Sequence, residues 1–324
     1  MNTAIKNVGA ALLIVPALSM AQSSDNYPNR TVNIVVPFGA GSSTDIEGRV
    51  YVNELSKSLG QQFIMDFRPG AVMTVGLQYA AKQKPDGYTL VMTGPAYSVL
   101  PLLNIERSFD PVKDFDAISL ISKRSALMVV SNNMPIHNVK DYISYAKANP
   151  GKINFATGGQ GAPQHLTGAW LESITGTNVT FLHYKAIGNA YPDLIAGRVD
   201  MTFTSFSTGL PMVKAGKVRA IAIASLQRNS ALPDMPTADE QGLPGLEYST
   251  WLAMFTVAKT PPVIVNKLHA ELVKIAKSPE IREKMGNEVM LVALGPAELR
   301  KYTAAETERW RRITAEKNIK LDAN

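Results

Sequence analysis

A unit that occurs twice constrains this chain more than any other feature. An apolar run meets glycines and small polar residues, and a helical pattern follows. The first copy reads VNIVVPFGAGSSTDIEGRV from Val32, and the second reads KINFATGGQGAPQHLTGAW from Lys152, about 120 residues later. Strand, tight turn and helix in that order build a parallel α/β sheet. At the carboxyl end of such a strand, the next helix offers unpaired N–H groups and the positive end of its dipole. Ligands of open parallel sheets sit at that rim. Two such rims predict two α/β units facing across a cleft suited to negative charge, such as a small polyacid.

The remaining pattern agrees. STDIEGRVYVNELSKSLG predicts a helix with Ile46, Val50, Val52 and Leu55 on its buried side and Gly60 as its stop. QFIMDF, the helical TVGLQYAAKQ, the turn KPDG and the strand YTLVMTG complete a βαβαβ unit. The pattern restarts at the strand SALMVVSN. A helix capped by Asn138, the strand INFATGG, the helix PQHLTGAWLESITG and the strands VTFLHYK, VDMTFTS and VRAIAIAS follow. From Pro296 to Lys317 a long helix is expected, with Leu299, Tyr302, Trp310 and Ile313 as a structural stripe.

The first residues read as an export signal. Lys6 is basic, Val8 to Ala17 is apolar but too short to span a bilayer, and Ser19 and Ala21 precede an expected cut after Ala21. Residues 1–21 are thus expected to be removed, leaving a soluble extracytoplasmic protein. The chain has no Cys, so neither a disulfide nor a cysteine-linked lipid is expected. The formal charge of +6 favours anions by long-range steering. The densest basic patch, Arg309, Arg311, Arg312 and Lys317, alternates with Glu306, Glu308 and Glu316. That is a solvated helix face, and no nucleic-acid partner is expected.

The glycine loops do not match the nucleotide motifs. No Lys stands near Thr44 to make a Walker loop, and Thr44 occupies the place of the third glycine in a dinucleotide fingerprint. Hydroxyls with backbone N–H groups suit a carboxylate. There is no Cys nucleophile and no Gly-x-Ser-x-Gly elbow. His137, His165, His183 and His269 show no metal-binding spacing, so neither metal nor cofactor is expected. His165 either touches a ligand or satisfies the start of its own helix. Asp45, in the first turn of its helix, reads as a bracing carboxylate rather than a base.

Taken in order, IVVPFGAGSSTDI, FRPGA, KPDGYTL, INFATGGQGAPQHLTG, HYKAIGNAYPDLIAGRVDMTF, ALPDMPTADEQGLPG and TWLAMFTVAKTPPVIVNKLHAEL resemble the solute receptors of tripartite tricarboxylate transporters, the Bug-type extracytoplasmic binding proteins. The likeness runs from Tyr27 to the C-terminus. It implies a two-lobed periplasmic-binding-protein fold of type II-like form, α/β, with two open sheets, helices on both faces and a ligand cleft between the lobes. It implies capture without catalysis of a small organic acid and delivery to a membrane permease of the tripartite tricarboxylate type. The ligand-binding residues carried over are Phe38, Gly39, Ser42, Ser43, Thr44 and Asp45 in the first loop. In the second they are Thr157, Gly158, Gly161, Ala162 and Gln164, with His165 beside them.

The sequence departs from the family where Val72 and Met73 follow Arg-Pro-Gly-Ala, a place usually richer in glycine. The expected lobes are 27–123 plus 248–324 and 124–247. At the first crossover Arg124 is a candidate partner for a distal carboxylate, its planar fork suiting bidentate contact. Thr93, Ala96 and Tyr97 follow one strand end and Phe203, Ser205 and Phe206 another, as candidate cleft residues. Phe38, Tyr97 and Phe206 leave open an aromatic, phthalate-type diacid beside an aliphatic one. A periplasmic monomer is expected. Two other readings stand beside it: a ligand sensor for a membrane signalling kinase, and a secreted enzyme acting on a carboxylate.

Overall fold

The computed structural model describes residues 26–40, 42–70, 72–286, 289–316 and 318–319. The expected export segment, 1–21, lies outside the described residues. The chain begins with β1 (Val32–Val36), α1 (Ser43–Leu59), β2 (Phe63–Phe67), α2 (Thr74–Ala81), β3 (Thr89–Thr93) and the short α3 (Ala96–Val99). β1 lies parallel between β2 and β3, as the βαβαβ pattern requires. A strand of 17 residues, β4 (Phe115–Ser131), comes next. Then α4 (Val139–Ala148), β5 (Asn154–Thr157), α5 (Pro163–Thr175), β6 (Thr180–His183), α6 (Tyr191–Ala196), β7 (Met201–Ser205), α7 (Phe206–Lys214) and β8 (Val218–Ala224) form the second lobe's layers. The chain returns through β9 (Ser249–Val257), α8 (Pro262–Lys277), α9 (Pro279–Met285), β10 (Met290–Leu294) and α10 (Pro296–Glu316).

β4 belongs to both halves. From Phe115 to Ser125 it pairs antiparallel with β9, and beyond that with β7 on one side, over Ala126 to Val130, and β8 on the other, over Ala126 to Ser131. The two sheets therefore share one strand and form a continuous curled ladder, ordered β2-β1-β3-β9-β4-β7-β5-β6. Sequence periodicity starts this strand at Ser125, whereas the structure starts it ten residues earlier, at Phe115. Ser119, Ser122 and Arg124 hide its first half from an apolar reading, yet all are buried. A strand covered on both faces needs no alternation.

Each half-sheet is packed on both faces. Ile34, Leu90 and Leu268 lie in one cluster of the first half, and Val35, Val91 and Trp310 in the other. Met128, Phe155 and Phe203 fill one face of the second half, and Leu127, Leu194 and Phe206 the other. α10 buries Leu299, Trp310 and Ile313 against the first half, as its stripe predicts. α5 bridges the halves. Its Leu166 and Trp170 join the cluster that holds Trp310, and the Arg309 guanidinium sits 5.6 Å from the Trp170 ring centre.

The buried side of α1 differs from its apolar pattern. Ile46 is 65% exposed and Val50 is half-buried, while Glu47, Gly48, Tyr51, Val52 and Leu55 face inward. Two contacts set this phase. Gly48 lets the helix lie close on Met92, where a Cβ would come within 2.5 Å of the sulfur. Glu47 is buried because its carboxylate finds Arg124 at 3.3 Å and the Ser122 hydroxyl.

Candidate functional site

A cleft of about 770 Å³ opens between the lobes at the carboxyl ends of their parallel strands. Pro37, Phe38 and Gly39, beyond β1, form one part of its wall. Pro69, Gly70, Val72 and Met73, beyond β2, form a second, and Ala96, Val99 and Leu103, beyond β3, a third. The β5–α5 loop, residues 158–164, faces them with His183, Tyr184, Lys185 and Ile187 beyond β6. The two glycine loops singled out from sequence thus meet across one space.

The two helix starts differ in one respect. α1 is capped by its own chain: the Ser42 hydroxyl accepts the Asp45 N–H at 3.2 Å. Asp45 also pairs with Arg49 at 2.6 Å, one turn along. α5 has no such cap. Ala162 offers no side-chain acceptor, and Pro163 in the first turn has no N–H of its own. Its first-turn donors are therefore left to whatever occupies the cleft.

The second loop is pinned from behind. The Thr157 hydroxyl accepts the Gly159 N–H at 3.3 Å and lies 2.7 Å from His183 Nδ1. His165 Nδ1 accepts the Gly161 N–H at 3.0 Å, which assigns the ring proton to Nε2. Burial, with the neighbouring His183 as a smaller cause, lowers the His165 pKa from 6.5 to about 4. The ring is thus a neutral acceptor at ordinary pH, and of its two sequence readings the structure favours bracing of the helix start. Gly159 and Gly161 hold φ of 121° and 73°, conformations that glycine adopts without strain.

Of the residues singled out from sequence, Phe38, Gly39, Ala96, Gly158, Gly161, Ala162 and Gln164 line the cleft. Ser42, Asp45, Thr157 and His165 stand behind it as caps and braces. Ser43 opens α1. Thr44 is buried against Gly94, whose Cβ would meet its hydroxyl at 3.9 Å. Thr93 is fully buried, with its hydroxyl 3.6 Å from the Met73 sulfur.

Several expectations require correction, the fully buried Thr93 among them. Arg124 does not line the cleft, because Glu47 holds its buried guanidinium. Phe203 and Phe206 are fully buried core residues on the two faces of the second lobe. Ser205 bonds at 3.1 Å to the hydroxyls of Ser207 and Thr208 at the start of α7. Tyr97 is buried, stacked on Phe255 at 4.5 Å, and donates its hydroxyl to the Pro111 carbonyl. Only Phe38 of the three aromatics reaches the cleft. Sequence reading passed over Lys185, Tyr184 and Gln160. The signal was present for the first two, since HYK closes a predicted strand at the same rim.

A family model described as the tripartite tricarboxylate transporter family receptor matches residues 48–319. This chain belongs to that receptor family. Among its relatives are a UPF0065 protein from the tcbD-tcbE intergenic region of Pseudomonas sp. strain P51 and protein BugT of Bordetella pertussis. The first is 32% identical over 318 residues, covering 98% of this chain and 94% of the relative. BugT is 29% identical over 302 residues, covering 92% and 93%. Among solved structures, R. palustris Rpa4515 with adipate superposes with a TM-score of 0.83 at 29% identity, covering 91% of this chain and 99% of the other. MatC from Rhodopseudomonas palustris with bound malate gives 0.78 at 28% identity, covering 89% and 99%. The receptor is thus a two-lobed, Bug-type α/β protein of the periplasmic-binding class.

Proposed function

We propose that this receptor captures a small dicarboxylate between its lobes outside the cytoplasm and delivers it to a tripartite tricarboxylate-type permease, acting as a monomer without catalysis. The observation that carries this is the cleft itself, where the uncapped start of α5 faces the loop before α1. A carboxylate there satisfies N–H groups that the chain leaves open. Adipate in one structural relative and malate in another support a dicarboxylate as the class. The lobes are taken as 27–123 plus 248–324 and 124–247. The change of β4's partners after Ser125 and the start of β9 at Ser249 are consistent with those limits. Closure of the lobes is a hinge motion that a ligand favours only by contacting both. Export through removal of residues 1–21 fits the same role.

Thermal-shift and calorimetric titration against adipate, malate, phthalate, matched monoacids and amino acids tests this reading. A ligand that binds only the folded receptor raises its melting temperature by mass action. Shifts confined to the diacids are expected. Shifts from amino acids alone, or from none of the acids, would refute it.

A further inference from the structure

The side chains around the cleft are sorted by polarity. Among the described residues the first lobe contributes only apolar ones, among them Phe38, Val72, Met73 and Leu103, while Gly39 and Gly70 present backbone. Every polar side chain among the described lining residues comes from the opposite wall: Gln160, Gln164, His183, Tyr184 and Lys185. None of the described lining residues is acidic. At least three of the polar groups already have partners, Gln160 among them. His183 Nδ1 lies 2.7 Å from the Thr157 hydroxyl, and the Tyr184 hydroxyl donates to Asp193 at 2.7 Å. Lys185 is exposed and makes no ion pair or hydrogen bond among the described residues.

Strand pairing fixes where Lys185 stands. β5 and β6 run parallel, and Thr157 is level with His183. The Tyr184 N–H donates to the Thr157 carbonyl at 3.0 Å. Lys185 therefore leaves β6 beside Gly158 and Gly159, about one ladder spacing of 4.8 Å from the loop that starts α5. One wall thus carries two attractions for negative charge side by side: the backbone donors of α5 and a free ammonium. Among the described residues, the wall opposite offers nothing polar from its side chains.

From this arrangement, and resting on the carboxylate reading above, we infer that Lys185 is the specificity-determining cation of the cleft: it meets the second carboxylate of a diacid, and the apolar wall selects a hydrocarbon middle over a hydroxylated one. A hydroxyl pressed on Val72 and Met73 loses its water and gains no partner there. A methylene chain or an aromatic ring loses nothing by the same contact.

Calorimetric titration of the full chain with adipate, hexanoate and galactarate tests this. The second probe lacks one carboxylate of the first, and the third adds hydroxyls along the same chain. Wild type is expected to bind adipate ten- to a hundred-fold more tightly than hexanoate, about the range of one charge-assisted contact. Galactarate is expected to bind at least about ten-fold more weakly than adipate. Lys185→Met should bring adipate down to the hexanoate level and leave hexanoate unchanged, while Lys185→Arg keeps the preference for the diacid. An equal loss for adipate and hexanoate, or no loss for either, overturns the role of Lys185. Galactarate bound as tightly as adipate overturns selection by the apolar wall. No heat from any of the three overturns the carboxylate reading of the cleft, and this inference with it.

Discussion

The Arg124 guanidinium lies 3.3 Å from the Glu47 carboxylate, and both side chains are almost fully withdrawn from water. One belongs to the strand shared by the two half-sheets and the other to the helix beneath the first glycine loop. Removing one partner strands a buried charge, and that outweighs what the pair itself contributes. Arg124→Ala should lower the unfolding free energy by about 3 kcal/mol. Arg124→Met with Glu47→Gln should recover much of that loss. Chemical denaturation with an unchanged m-value checks this. Affinities for adipate and hexanoate should fall by the same factor, because Arg124 does not reach the ligand. A selective loss of adipate would return it to the cleft.

His165 gives the receptor an acid-side weakness. Its folded pKa of about 4 lies below the ordinary 6.5. Above 6.5 the ring is neutral in both folded and unfolded chains, so it makes no difference. As the pH falls from 6.5 to 4 the unfolded chain takes up the proton first, and stability drains away. Below 4 both states are protonated and the loss is complete, on the order of 3 kcal/mol. His165→Gln, which cannot titrate, should melt with a flatter pH dependence across that window. Parallel curves for the two proteins would deny His165 this part.

Val72 and Met73 hold φ of 50° and 71°, left-handed conformations that strain any side chain and a β-branched one such as valine most. Val72 is 43% exposed, so little burial is lost by changing it. Asn tolerates that backbone region. Val72→Asn should therefore stabilise the fold by about 1 kcal/mol, measured by thermal unfolding. The same change places an amide in the apolar wall and should narrow the gap between adipate and galactarate. A drop in melting temperature would show that Val72's packing outweighs the strain.

Gly76 sets the distance between the first two loops. A Cβ there would lie 2.9 Å from the Arg68 carbonyl and 3.1 Å from the Pro37 side chain. Gly76→Ala should push α2 away from the β1–α1 loop, destabilise by about 1–3 kcal/mol and weaken diacid binding. Unchanged affinity, read by titration, would mean that Pro37 tolerates the shift.

Much of this molecule was legible because its signals are local. The turn residues before α1 and α5, the Asn138 cap and the stripe of α10 each report a short-range requirement, and each appears where the sequence places it. What escaped reading depends on a distant partner. Arg124 reads as a free cation until Glu47, on another element, is beside it. Ile46 continues an apolar period that Gly48 and Met92 overrule. Lys185 is an ordinary lysine in the sequence. It gains meaning only when the loop beyond β6 is brought to the rim of β5.

β4 has a consequence for how the receptor comes apart. Because one unbroken strand is a ladder partner in both half-sheets, neither lobe can unzip without robbing the other of its neighbour. The molecule is built as two leaves glued along a common spine, and the shared strand predicts that its melting is one event rather than two. On that expectation an acid held at the mouth of the cleft protects residues far from it, and one melting curve serves both lobes.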